Sequence, residues 1–169
     1  MKKILTITLS VLILVLLAGC TKSENKVYED EIATKVYFVQ AVTSPLQTVT
    51  ESDLDETGSV TYCIYNAGNN SGQITVGVTA DQDALDIYNV ENSTSYQMLP
   101  EKYWSLAQDT FVMDTEENYQ AYVQLTVDFD AVRADGLDTG SYLLPLSVSA
   151  PSMTSVTYDY MTLFIRISL

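Results

Sequence analysis

Tyr119-Gln120-Ala121-Tyr122-Val123-Gln124-Leu125-Thr126-Val127-Asp128-Phe129-Asp130 is the stretch whose reading decides the fold class. Val123, Leu125, Val127 and Phe129 alternate with Tyr122, Gln124, Thr126 and Asp128. Side chains on an extended backbone point alternately to the two faces, so this pattern describes a strand with one apolar face and one polar face. A helix would need apolar residues three and four apart instead.

The same period-two signature recurs on either side. Residues 35–42, 59–66, 74–79, 141–150 and 161–169 read as strands over 119–130's pattern, separated by turn-forming clusters. The strongest turn signals are Ala67-Gly68-Asn69-Asn70-Ser71-Gly72 and Asp135-Gly136-Leu137-Asp138-Thr139-Gly140. Short strands with one apolar face each, and little helix between them, predict two sheets packed face to face: an all-β, immunoglobulin-like antiparallel sandwich. A closed barrel is the other solution. A single helical turn is expected near Asp81, Ala84, Leu85 and Tyr88, and Pro145, which has no N–H to give a ladder, places its strand at a sheet edge or on a bulge.

The N-terminus has a different character. Lys2 and Lys3 precede an apolar run from Ile4 to Leu17, which is short for a membrane-spanning helix of roughly 20 residues, and the run closes with Leu17-Ala18-Gly19-Cys20. That layout resembles the lipobox of bacterial lipoproteins. It predicts a signal peptide at 1–19, lipid attachment at Cys20 and a flexible polar tether over 20–33, followed by one domain at 34–169. Acyl chains contribute about 0.8 kcal/mol per buried methylene, enough for two or three of them to hold a chain on a bilayer without any protein span. Thr21 in place of an aspartate after the cysteine, and the acidic residues Glu24, Glu29, Asp30 and Glu31, lead to the expectation of an outer-membrane protein displayed at the cell surface.

After residue 19 the chain holds 6 cationic and 22 acidic side chains, a net charge of −16. Such a surface repels phosphate backbones, which excludes nucleic acid as an expected partner. With Cys20 committed to lipid, Cys63 is left as a lone thiol, so packing rather than a disulfide has to hold the domain. Cys63 alternates with Val60, Tyr62 and Ile64 and reads as a small strand residue.

Three segments carry a family resemblance: Tyr88-Asn89; Thr94-Ser95-Tyr96-Gln97-Met98-Leu99-Pro100-Glu101-Lys102-Tyr103; and Gly140-Ser141-Tyr142-Leu143-Leu144-Pro145-Leu146. Together they resemble a Bacteroidetes domain of unknown function found at the N-terminus of surface lipoproteins from polysaccharide-utilisation loci. Its members show a Tyr-Asn pair, a Tyr followed by Leu-Pro and another Tyr, and a later Gly-x-Tyr-x-Leu-Pro. The resemblance implies an immunoglobulin-like module, commonly the first module of glycan-binding proteins or glycoside hydrolases. The expected role is a non-catalytic binding or accessory one, with polysaccharide or other proteins of a glycan-uptake complex as partners. It supplies no catalytic residue.

The residues themselves agree with an absence of catalysis. The chain has no histidine, so imidazole-based zinc sites, Ser-His-Asp arrangements and an ordinary general base near neutral pH are excluded. Asp128 and Asp130 could pair as glycosidase carboxylates, yet read more simply as a solvated strand end. Asp81, Asp83 and Asp86 lack the glycine turn and distal glutamate of a calcium loop. No metal and no cofactor are expected.

Aromatic residues are the better lead, because sugar rings stack on flat side chains and the chain has 12 tyrosines. Tyr103 and Trp104, adjacent after Pro100, and Tyr119 and Tyr122 are the carbohydrate-binding candidates, with Tyr158 and Tyr160 also near a strand start. The opposing possibility is that these rings cap the core with their hydroxyls in water. The functional alternative is a structural or adhesive surface-assembly module acting through protein-protein contacts, in which an exposed edge such as the C-terminal strand pairs with another chain.

Overall fold

The structure is a computed structural model that describes residues 35–67, 72–114, 117–150 and 161–169. The expected signal peptide at 1–19, Cys20, the expected tether at 20–33, most of the 67–72 turn, Tyr158 and Tyr160 lie outside the described residues. In chain order the strands are β1 (Lys35–Phe38), β2 (Leu46–Val49), β3 (Ser59–Ala67), β4 (Ile74–Ala80), β5 (Gln97–Met98), β6 (Trp104–Leu106), β7 (Thr110–Met113), β8 (Gln120–Val127), β9 (Tyr142–Ser149) and β10 (Thr162–Ile167). The helices are α1 (Val39–Thr43), α2 (Gln82–Asn92) and α3 (Phe129–Ala134).

The alternation that opened the reading is physically expressed in β8. Ala121, Val123, Leu125 and Val127 are buried, whereas Gln120, Tyr122, Gln124 and Thr126 are exposed. Pairing with β3 brings Val123 opposite Tyr62 and Ala121 opposite Ile64, which aligns the apolar faces of both strands. β1 extends this sheet beyond β3, and β6 closes its other side, giving the order β1-β3-β8-β6.

The second sheet runs β2-β10-β9-β4-β7, with β5 lying along β9 beyond the end of β4. Val76, Val78, Leu144, Leu146, Val148, Leu163, Ile165 and Ile167 meet Val36, Phe38, Ile64, Val123 and Leu125 in one core. Each such side chain contributes roughly 1.5–3 kcal/mol by leaving water, opposed by chain entropy, so the two inner faces hold the sandwich together without a crosslink. The expected sandwich is present, with a variation: β2–β10 and β5–β9 are parallel while the other pairs are antiparallel.

Pro145 departs from expectation. It sits in β9, an interior strand, opposite Phe164 of β10 and in unbroken register. The β4 ladder ends at Ala80–Leu146, so the group that Pro145 would have addressed is the Asp81 carbonyl, which instead accepts the Leu85 N–H at 3.2 Å as α2 begins. The Pro145 carbonyl still accepts the Asp81 N–H at 3.0 Å, and Phe164 turns its own N–H away to Pro45 of the β2 side at 2.8 Å. No donor is missed, which is how proline is accommodated there.

Helix starts correct three further boundaries. Asp128 does not continue β8: its Oδ1 accepts the Ala131 N–H at 2.8 Å and starts α3. The strand expected over 35–42 gives way to α1 after Phe38, and the Gln40 side chain accepts the Cys63 N–H at 3.1 Å, replacing the lost ladder. The expected single turn after Asp81 is the eleven-residue α2, capped by the Asp81 side chain and ended by Ser93 in the left-handed region at φ 54°. α2 and β5 pack against β9, which is why Leu143 on the outer face of that strand is fully buried alongside Leu144. β10, expected as a pairing edge, is enclosed by β2 and β9.

Candidate functional site

The period of two sends one set of side chains of the four-stranded sheet into the core and the other set to its outer face. Outward positions are Lys35 and Tyr37 on β1, Thr61, Cys63, Tyr65 and Ala67 on β3, Gln120, Tyr122, Gln124 and Thr126 on β8, and Ser105 on β6. In a chain with 22 acidic residues, none of these described positions carries a carboxylate. The face is neutral apart from Lys35, and rich in tyrosine, amide and hydroxyl groups.

Register assembles the rings. Tyr37 and Tyr65 are direct partners across β1 and β3, with ring centroids 5.7 Å apart and planes at 35°. Tyr119, which enters β8, meets the other side of Tyr65 edge-on at 5.5 Å and 64°. Tyr122 stands opposite Cys63, is 60% exposed, and its hydroxyl hydrogen-bonds Gln120 Oε1 at 3.2 Å. Tyr119 is 40% exposed, whereas Tyr37 and Tyr65 are half-buried by each other. Such tilted and edge-on pairs are favoured by the ring quadrupole, and they brace the rings against one another.

Two groups on the face are held in their protonated forms. Burial, then the neighbouring Tyr65 and Cys63, push the Tyr37 hydroxyl above its ordinary value, so it stays a neutral hydrogen-bond donor. Burial likewise raises the Cys63 thiol, which keeps its proton and donates to the Ile64 carbonyl at 3.6 Å. A protonated, half-buried thiol with no base beside it is no nucleophile. The arrangement can stack and hydrogen-bond.

Tyr119 and Tyr122 thus come together, but Tyr103 and Trp104 do not join them. Tyr103 is only 2% exposed, and its hydroxyl donates to Asp135 Oδ2 at 3.0 Å, where Lys102 Nζ also binds at 2.7 Å while lying 4.6 Å from the Tyr103 ring centre. Trp104 pairs with Val127, so its indole follows the inward face, and its Nε1–H donates to the Leu99 carbonyl at 3.1 Å. Tyr103 belongs to the core, and Trp104, half-buried, packs against its edge. Tyr37 and Tyr65 are the rings that join Tyr119 on this face. Their signal was present, since both alternate with buried Val36, Phe38, Tyr62 and Ile64 and therefore had to face outward.

Four of the acidic candidates, Asp128, Asp130, Asp81 and Asp86, have structural roles. Asp128 caps α3, and Asp130, 94% exposed at its side chain, pairs with Arg133 Nη1 at 2.8 Å, while Arg133 also bridges to Glu51. Asp81 caps α2 by accepting the Ala84 N–H at 3.0 Å, and Asp86 accepts the Gln82 amide at 2.8 Å.

A family model described as an N-terminal domain matches residues 28–154. None of the curated proteins is matched. Among solved structures, the chain is similar to a candidate carbohydrate-binding protein from Bacteroides ovatus, with 22% identity, TM-score 0.56, and coverage of 79% of this chain and 36% of that one. It is similar to Bacteroides thetaiotaomicron EndoBT-3987, solved with a Man5GlcNAc product, at 15% identity and TM-score 0.54, covering 79% of this chain and 30% of that one. A two-domain protein of unknown function from Bacteroides fragilis is similar at 9% identity and TM-score 0.56, with 83% of this chain and 47% of that one covered. The chain therefore spans between about a third and a half of the length of these structures, and at such identities the likeness is one of fold. With the match over residues 28–154, the chain belongs to this family of N-terminal domains, the Bacteroidetes domain-of-unknown-function family that its spaced tyrosine and Leu-Pro motifs resemble.

Proposed function

We propose that this protein is a non-catalytic binding or accessory module of a glycan-utilisation system, anchored by lipid at Cys20 to the outer membrane and displayed at the cell surface, and that it holds uncharged glycan on its tyrosine face. The observation that carries this reading is the carboxylate-free outer face, where Tyr37, Tyr65, Tyr119 and Tyr122 are surrounded by Gln120, Gln124, Thr61 and Thr126. Pyranose rings present apolar C–H faces that stack on aromatic side chains, and equatorial hydroxyls that exchange hydrogen bonds with amides and hydroxyls. The absence of carboxylates from these strand positions, in an otherwise acidic chain, favours a neutral polymer over a cationic one. The nature of two structural relatives, a candidate carbohydrate-binding protein and a glycan-processing EndoBT-3987, supports the same direction. The Lys2-Lys3 start and Leu17-Ala18-Gly19-Cys20 ending support the anchor.

Affinity gel electrophoresis and calorimetry of the 21–169 fragment against neutral polysaccharides, with a polyuronate alongside, test the binding. Retardation by at least one neutral glycan is expected; uniform migration in every gel would contradict it. Incorporation of labelled palmitate that disappears in Cys20→Ala would support the anchor, and unchanged labelling would sink it.

A further inference from the structure

The outer face of the six-stranded sheet has the opposite character. Between α2, β10 and the residues leading into β2 lies a groove of about 680 Å³. Its floor is apolar and aromatic: Tyr88 packs on Phe164 with ring centroids 4.4 Å apart, Leu46 lines it beside them, and Ile87 is left 59% exposed. One rim is the α2 face that carries Asp83, Ile87, Tyr88 and Glu91. Asp83 and Glu91 have no hydrogen bond or ion pair among the described residues, unlike Asp81 and Asp86 on the same helix. The nearby cation, Arg166, lies two positions beyond Phe164 on β10 and donates instead to Thr48 Oγ1 at 3.1 Å.

Spacing turns this rim into a template. Eight residues of helix at ~1.5 Å each put Asp83 and Glu91 roughly 12 Å apart, with Ile87 and Tyr88 midway. An extended peptide advances ~3.3 Å per residue and shows every second side chain to one face, so its positions i, i+2 and i+4 span roughly 13 Å. A segment reading basic-x-apolar-x-basic would set its two cations against Asp83 and Glu91 and its apolar side chain against Ile87, Tyr88 and Phe164.

We infer that this groove is a docking site for an extended basic-x-apolar-x-basic segment of a partner protein. Charge complementarity at both ends and an apolar centre select it; a neutral sugar would not need two carboxylates at that separation. The inference is independent of the tyrosine face, which lies on the other sheet.

The test is fluorescence anisotropy of the full mature protein with a labelled Lys-Thr-Leu-Thr-Lys peptide, with the scrambled Leu-Lys-Lys-Thr-Thr as a control. The double variant Asp83→Asn/Glu91→Gln is compared with Glu56→Gln/Glu117→Gln, which changes net charge equally at exposed positions away from the groove. Saturable binding that weakens tenfold or more in the groove variant, changes less than twofold in the remote one, and prefers the ordered peptide is expected. Absence of binding, equal binding of both peptides, or equal weakening by both variants would overturn it, the last showing attraction to bulk charge only.

Discussion

Tyr37 and Tyr65 face each other across β1 and β3, ring centroids 5.7 Å apart, and Tyr65 alone also touches Tyr119. Tyr65 is therefore the keystone of the outer face, while Tyr122 stands clear of it. Tilted and edge-on ring pairs are worth about 0.5–1.5 kcal/mol each. Tyr65→Ala should lower unfolding free energy by about 1–3 kcal/mol, and Tyr122→Ala should stay within about 0.5 kcal/mol, as expected for an exposed position. Urea titrations followed by circular dichroism measure both; equal losses would mean that the rings do not act as a braced platform.

Tyr103 is fixed from both ends, by the core around its ring and by Asp135 at its hydroxyl. Tyr103→Ala should cost about 3–5 kcal/mol, the range for emptying a buried aromatic site. Tyr103→Phe, which removes only the hydroxyl, should cost about 0.5–1.5 kcal/mol. A Tyr103→Ala protein as stable as wild type would contradict its placement in the core.

Acid should unfold the domain through its turn carboxylates. The carboxyl of Asp55 is held below the ordinary 3.8 by hydrogen bonds from Thr57 and Ser59, Asp53 by Thr50, and Asp135 by Lys102 and then Tyr103. A depressed folded-state pKa means that the stabilisation is fully present above the ordinary value and disappears as pH falls through the folded value. With no histidine to titrate, Tm should be level from pH 7 to 5 and should fall below about 3.8. Asp55→Asn should flatten part of that fall. A decline starting near pH 6 would contradict the assignment.

Pro145 loses no ladder bond in β9, since the Asp81 carbonyl is already held by Leu85. Pro145→Ala should therefore gain no hydrogen bond, and should lose about 0.4–1 kcal/mol through the freer unfolded chain. A marked gain in thermal stability would show that the proline had been a strained interruption.

What the sequence disclosed follows from which signals are local. Alternation in residues 119–130 and 59–66 exposed both the strands and the side each residue faces, because period two is a property of the backbone alone. Helix extents were harder to read: Asp128 continues the polar rhythm of a strand end yet caps α3, and the turn expected at Asp81 runs on to the eleven residues of α2. Pro145 misled because the rule against interior proline assumes a continuous neighbour, whereas β4 stops one residue short of it. Of the outer tyrosine face, Tyr119 and Tyr122 were legible as aromatics near a strand start. Trp104 was not, since whether an aromatic after Leu-Pro turns in or out depends on its pairing with Val127 across the sheet. Tyr37 and Tyr65 needed the β1–β3 register before they became neighbours.

Glycan held on the tyrosine face and glycan held at the Tyr103-Trp104 corner predict different losses. Affinity electrophoresis of Tyr65→Ala, Tyr122→Ala and Trp104→Ala in the same neutral polysaccharide gels, on protein verified as folded, separates the two. Retardation abolished or reduced at least tenfold in Tyr122→Ala, and retained in folded Trp104→Ala, is the predicted result. Retardation retained in Tyr122→Ala and Tyr65→Ala but lost in Trp104→Ala would contradict it.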